Sequence, residues 1–232
     1  MLGLVDGTGL GCRVWVPPRV YAPQEDTFLL ADALGRLPLA PGADVLDVGT
    51  GTGALALAAA RRGARVTAVD RARRAVVTTR VNAALAGLRV QVLRGDLLEP
   101  VAHRRFDVVL SNPPYVPAPE PGLPRRGPSL AWDAGHSGRA LVDRICDGAA
   151  DVLRPGGVLL LVHSGLCGVP PTLERLRRAG LRATVEDRRY VPFGPVLRSR
   201  RKWLEIQGLI GPGEEKEELV VIRAERAEEA GK

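Results

Sequence analysis

Lysine is almost missing from this chain: of 33 Lys and Arg residues only Lys202, Lys216 and Lys232 are lysine, and the formal net charge is +7. A basic surface draws phosphate chains, but an arginine excess beside abundant alanine and glycine also follows from coding bias, so the charge identifies no nucleic-acid partner. Cysteine is equally scarce. Cys12, Cys146 and Cys167 are odd in number and far apart, which argues against a disulfide framework and a zinc knuckle and fits reduced thiols in the cytoplasm. No apolar run approaches the roughly 18 residues of a membrane span. Met1 to Pro18 shows no positive cluster leading into an apolar core, so no signal peptide is expected. His103, His136 and His163 suggest neither a triad nor a metal site, and no metal is expected.

What remains is an ordinary globular composition over 232 residues, enough for one domain with a substantial core plus a short extension. Val14-Trp15-Val16 reads as a short strand leading out of a flexible start. A helix follows from Pro23, with Glu25 and Asp26 at its positive end, Phe28-Leu29-Leu30 and Leu34 as its apolar stripe, and Gly35 as its stop. Strands at 44–48, 65–69, 89–93 and 106–110 then alternate with helices at 54–62 and 72–86. Ala118 to Pro128 reads as a loop over the site. A helix at 138–153 stops at Pro155-Gly156-Gly157, and the continuous apolar run 158–162 suits a strand buried on both faces. A short helix at 172–179 precedes strands at 182–191 and 218–224, which pair antiparallel across a loop, 198–218, dense in Arg and Glu, read as solvated and partly disordered with a docking surface for a partner as the alternative. Alternation of strands with helices implies an α/β fold: a Rossmann-like, doubly wound sheet of seven strands, mostly parallel with an antiparallel last strand.

The first strand ends in Asp47-Val48-Gly49-Thr50-Gly51-Thr52-Gly53. Glycines in alternate positions allow a tight turn and a close approach of ligand to backbone at the start of a helix. Asp47 puts a carboxylate beside that turn, suited to a ligand ammonium group. Asp70 closes the next strand, at about the 20-residue spacing from which an acid reaches ribose hydroxyls, and Asp96, after the third strand, can accept from an adenine amino group. The spacing is Gly-x-Gly-x-Gly rather than the dinucleotide Gly-x-Gly-x-x-Gly, and Asp47 would repel a pyrophosphate. S-adenosylmethionine has the ammonium, ribose and adenine without the phosphate, and is the expected cofactor.

The strand 106–110 runs into Asn112-Pro113-Pro114-Tyr115. Two consecutive prolines cannot continue a ladder, so the chain turns and presents Asn112 and Tyr115 at the carboxyl edge of the sheet, where open α/β sheets bind ligands. The Asn112 side-chain oxygen and the Pro113 carbonyl could accept both hydrogens of a flat, conjugated NH2 group. Pro114 would fix the turn, and the Tyr115 ring would pack against the acceptor.

With these loops in hand, the chain resembles class I S-adenosylmethionine-dependent methyltransferases, and among them the HemK-type protein glutamine methyltransferases that modify release factors. The resemblance covers roughly Val20 to Val162. Val20-Tyr21-Ala22-Pro23-Gln24-Glu25-Asp26-Thr27-Phe28-Leu29-Leu30 is similar to the entry segment of the shorter archaeal and eukaryotic branch, which lacks the N-terminal helical domain. The resemblance implies that Thr27 helps to line the cofactor site beside Asp47, Gly49, Thr50, Gly51, Gly53, Asp70, Asp96 and Asn112, and that Leu97 packs beside the adenine. The chain divides into an extension at 1–36, expected to cover the cofactor site, a methyltransferase domain at 37–226 and a disordered tail at 227–232. The resemblance also implies a protein substrate such as a release factor and, in this branch, a small zinc-binding activator protein. Glutamine and lysine acceptors both occur in the family. The same Asn-Pro-Pro-Tyr loop serves N6-adenine methyltransferases of RNA or DNA, and a catalytically silent cofactor-binding scaffold is a more remote alternative.

Overall fold

Four apolar runs fix the middle of the molecule. Val45, Leu46 and Val48, then Val109 and Leu110, then Leu159 to Val162, then Val220 to Ile222, are all fully buried, as strands must be when helices cover both faces. The computed structural model describes residues 3–7, 12–125 and 127–228. Its elements are β1 (Gly3–Gly7), β2 (Cys12–Val16), α1 (Glu25–Arg36), β3 (Asp44–Val48), α2 (Ala54–Arg61), β4 (Arg65–Asp70), α3 (Arg73–Leu85), β5 (Val90–Arg94), β6 (Phe106–Ser111), α4 (Ala140–Val152), β7 (Leu153–Ser164), α5 (Val169–Arg178), β8 (Leu181–Pro192), α6 (Pro195–Ile206) and β9 (Lys216–Arg226).

Seven strands pair in the order β5-β4-β3-β6-β7-β9-β8. The first five are mutually parallel, and β9 runs antiparallel to both neighbours. From β3 the chain winds outward through β4 to β5, then returns to β6 on the other side of β3. Right-handed crossovers on the two sides of that reversal place their helices on opposite faces. The reversal leaves a crevice beyond the ends of β3 and β6, and the candidate site lies there. Among the described residues no helix is long and apolar enough to cross a membrane.

Several expectations are corrected. The start of the chain is a hairpin in which Gly3 to Gly7 pair with Cys12 to Val16, not simply a flexible lead. Helix α1 runs one residue past Gly35 to Arg36. Pro155-Gly156-Gly157 does not precede the strand but bulges within it: Phe106 pairs with Leu153 and Val108 with Val158, so the extra residues loop out between. The charged connection after β8 folds as helix α6 over Pro195–Ile206. Pro195 sits in its first turn, Leu197 and Leu204 are buried seven residues apart, and they form a small satellite core with Phe193 and Ile210. Only those two leucines are buried within an arginine-rich segment, a pattern too thin to read as a helical stripe. Strand β9 extends through Arg226, and of the expected tail 227–232 the residues 229–232 lie outside the described residues.

Asn82 ties the hairpin to the sheet. Its amide nitrogen donates to the carbonyls of Trp15 and Thr52, and its oxygen accepts from the Trp15 N–H, all at 2.9 Å. Asn82 is 2 % exposed, so truncation leaves three backbone groups unpaired. We expect Asn82→Ala to cost about 2–4 kcal/mol in urea unfolding and to expose the β1–β2 hairpin to limited proteolysis. Unchanged stability would show that the hairpin is held by other contacts.

Candidate active site

A cavity of about 470 Å³ opens beyond the carboxyl ends of β3, β4 and β6, within the size range of small-molecule sites. Gly49, Thr50 and Gly51 form one wall, Asp70 and Asp96 a second, and Asn112 and Pro114 a third. Tyr21 and Thr27 approach from the N-terminal segment. Leu97, Leu130 and Ala131 supply apolar surface. Among the described residues the two non-glycine residues with positive φ, Arg19 (67°) and Leu97 (48°), both line this cavity. Backbone strain of this kind collects at ligand sites.

The glycine turn is shaped by its neighbours. Gly53, at φ 84°, has no room for a side chain, because a Cβ there would stand 2.8 Å from Cγ2 of Thr79. Helix α3 therefore packs tightly under the turn, where Thr79 donates to the Gly51 carbonyl and Asn82 to that of Thr52. Asp47 lies beneath the turn, not on the cavity wall. Its Oδ2 accepts from the Thr50 hydroxyl at 2.6 Å and the Ala56 N–H at 3.1 Å. Its Oδ1 is buried and has no hydrogen-bond partner among the described residues. Burial pushes the Asp47 carboxyl up to about 6, against the lowering effect of those two bonds.

Asp70 accepts from the N–H groups of Gly51 and Ala72, one on each oxygen, and burial raises its pKa. Asp96 pairs through Oδ2 with Arg144 of α4 at 2.8 Å, while its buried Oδ1 has no partner among the described residues. Such a wall of carboxylate acceptors suits a cationic, hydroxyl-rich nucleoside. The orphaned oxygen of Asp96, a residue of the wall, fits a ligand that brings its own donor.

The four residues of the Asn112–Tyr115 loop separate into two pairs. Asn112 and Pro114 line the cavity, whereas Pro113 and Tyr115 are buried behind them. The Asn112 Nδ2 donates to Thr27 Oγ1 at 3.2 Å, and the Tyr115 hydroxyl donates to Asp26 Oδ2 at 2.9 Å. Gly138, at φ 71°, lets the start of α4 close on this loop: a Cβ there would stand 2.3 Å from the Tyr115 carbonyl. The loop that follows is held from α6, where Arg200 donates to the Pro117 carbonyl and to Asp133.

Sequence reasoning missed Asp26, Thr79, Asn82 and Arg200. Asp26 reads as a favourable charge at a helix start, yet it is 3 % exposed. A polar run on the inner face of α3, Thr78, Thr79 and Asn82, was the available signal for two of the others, since buried polar groups need partners.

Comparison with known proteins agrees with this geometry. The methyltransferase small domain family matches residues 24–120. A candidate protein N5-glutamine methyltransferase of Methanocaldococcus jannaschii is 35% identical over 188 residues, 81% of this chain and 93% of that one. A release factor glutamine methyltransferase of Gloeobacter violaceus is 37% identical over 208 residues, 85% of this chain and 68% of that one. Among solved structures, the E. cuniculi Mtq2–Trm112 complex, responsible for methylation of the eRF1 termination factor, superposes with TM-score 0.64 at 27% identity, covering 90% of this chain and 99% of that one. A T. thermophilus 16S rRNA methyltransferase solved with AdoMet and guanosine gives TM-score 0.65 at 25% identity, covering 97% of this chain and 51% of that one.

The buried Asp47 yields a pH test. A carboxyl whose pKa is raised by folding binds its proton more tightly in the folded state, so stability falls as pH rises from about 4 to about 6 and is level above. Asp47→Asn removes that slope. The stability of the variant relative to the wild type should rise by up to about 3 kcal/mol between pH 4 and pH 7, read by chemical denaturation at each pH. A difference independent of pH would return Asp47 to the ordinary carboxylate range.

Proposed function

We propose that this chain, which belongs to the family of S-adenosylmethionine-dependent protein glutamine N5-methyltransferases, methylates a glutamine side chain of a translation release factor in the cytoplasm. The observation that carries the reading is the placement of Asn112 on the cavity wall beside the Gly49 turn. A Cβ added to Gly49 would stand 3.8 Å from the Asn112 carbonyl, so cofactor turn and acceptor loop share one space.

When bound, S-adenosylmethionine supplies a sulfonium methyl and departs as a neutral thioether. Asp70 is assigned to the ribose hydroxyls, Asp96 and Leu97 to the adenine, and Gly49, Thr50, Gly51, Gly53 and Thr27 to the shape of the pocket. Asp47 acts from below, by holding Thr50 and the start of α2. The harder task is the acceptor, because a glutamine nitrogen shares its lone pair with the carbonyl. The Asn112 Oδ1 and the Pro113 carbonyl accept its two hydrogens, turn the nitrogen toward the methyl and stabilise positive charge as it develops. Pro114 keeps the turn rigid. Tyr115, its hydroxyl tied to Asp26, braces the loop from behind rather than packing on the acceptor. Placement of this kind supplies on the order of 7–11 kcal/mol in well-oriented reactions.

The family resemblance also implies a small zinc-binding activator. The outer face of α3 exposes Val77, Val81 and Leu85 at four-residue spacing, with Leu85 at 73 % exposure, beside β5, the free edge of the sheet. An apolar stripe next to an open edge suits a partner that adds a strand. We assign this face to such a subunit. Leu85→Asp should abolish co-purification with a co-expressed activator without altering the fold by circular dichroism, and intact co-purification would move the interface elsewhere.

One observation favours the nucleic-acid alternative. Arg19, Arg71, Arg73, Arg74, Arg94 and Arg125 line the cavity, and none of them forms a salt bridge among the described residues, whereas arginines elsewhere, such as Arg65, Arg139, Arg154 and Arg200, do. Transfer of labelled methyl from S-adenosylmethionine to cell extract separates the readings: we expect label that protease releases and nuclease does not. In the same assay Asn112→Ala should reduce transfer by about 100-fold or more while leaving cofactor affinity within about three-fold by calorimetry. Full activity of that variant would remove Asn112 from the chemistry.

A further inference from the structure

We infer that Asp26 and Thr27 are positioning residues that set which way round the Asn112 amide stands. The inference rests on the reading of Asn112 as the acceptor-binding group and adds what makes that reading work.

An asparagine side chain has a donor end and an acceptor end of nearly equal size, and only the acceptor end can receive a substrate N–H. Something must therefore choose between two orientations. Thr27 makes the choice. Its hydroxyl has a single proton, which it donates to Asp26 Oδ1 at 3.2 Å. The Thr27 oxygen is left as an acceptor, and the Asn112 atom beside it, at 3.2 Å, is Nδ2. The reverse orientation would bring Oδ1 against the Thr27 lone pairs with no proton between them. With Nδ2 held, Oδ1 is left for the substrate.

Asp26 is built for this task. Its carboxylate is 3 % exposed and takes four donors: the Thr27 N–H at 2.6 Å and hydroxyl at 3.2 Å on Oδ1, and the hydroxyls of Tyr21 and Tyr115, each at 2.9 Å, on Oδ2. Tyr115 closes the loop that Asn112 opens. One carboxylate thus governs both ends, Tyr115 directly and Asn112 through Thr27. It also fixes Tyr21, which lines the cavity. Were Asp26 only a helix-terminal charge, it would lie exposed and need none of these partners.

The test uses the full-length enzyme and two readouts. The first needs no substrate: the side-chain NH2 signals of Asn112 in a ¹⁵N-labelled protein, assigned by their loss in Asn112→Ala. Thr27→Ser keeps the hydroxyl and should leave these signals in place. Thr27→Val, equal in shape but without the hydroxyl, should shift them and speed their exchange with water. The second is the rate of methyl transfer to a release factor at saturating S-adenosylmethionine. We expect Thr27→Val and Asp26→Asn to lower kcat by about 10–100-fold with KM within about three-fold, Thr27→Ser to stay within about three-fold of the wild type, and Thr27→Val to cost nothing further in an Asn112→Ala background.

If Asp26→Asn fails to fold, the Thr27 pair carries the test. The inference is overturned if Thr27→Val leaves the Asn112 signals unmoved, or leaves kcat unchanged in an enzyme that Asn112→Ala disables. If Asn112→Ala keeps full activity, the catalytic reading of the loop fails on its own account, and the NH2 signals alone decide whether Thr27 orients the amide.

Discussion

The parallel pairing of β3 with β6 is the constraint on which the other features depend. Val45 lies beside Val108 and Val48 beside Ser111, so the two strands end together, yet the chain leaves them in opposite directions, toward β4 and toward β7. No crossover can roof the gap between such strands. The Ser111 hydroxyl donates to the Val48 carbonyl at 2.9 Å and pins the ends to each other. The turn assigned to the cofactor and the loop assigned to the acceptor are therefore neighbours by topology, before any side chain is chosen.

Charge is then arranged against ordinary solvation. Asp26 and Asp47 are buried and Asp70 is half-buried around these strand ends, and Glu217, pushed up to about 7 chiefly by burial, adds another carboxyl close to Asp26. Burying such groups is unfavourable unless donors surround them. The donors here are largely structural: backbone N–H groups of Gly51, Ala56 and Ala72, the Thr50 hydroxyl, and the tyrosines on Asp26. This explains why the glycine turn and α2 begin where they do. Their backbone groups are the counterparts the acids require.

Much of this was legible in residue order. Alternating apolar runs and helices gave the doubly wound sheet because both faces of each central strand are covered, a condition that leaves an unbroken hydrophobic signature at 158–162 and at 108–110. The antiparallel pairing of β9 with β8 was expected across a simple loop; the pairing is found, but the connection, 193–215, carries helix α6. Helix α6 was not legible, since only Leu197 and Leu204 of its residues are buried, in a small satellite core with Phe193 and Ile210, too few to mark a stripe. In the site, Asn112, Asp70 and Asp96 stood out because strand ends place them predictably. Asp26 and Asn82 were hidden for the opposite reason: their partners Tyr115, Trp15 and Thr52 lie between 30 and 89 residues away, and no local pattern records a contact made across the fold.

The position of β9 has a consequence for how the protein is made. Strand β8 touches the sheet only through β9, which enters between it and β7. During synthesis β8 emerges first and finds no place to dock, with Leu181, Ala183 and Val191, all buried in the finished sheet, uncovered. Until the last strand arrives as a wedge, this half of the molecule is an open edge exposed to misassociation, and its assembly resembles the setting of a keystone more than the laying of successive courses.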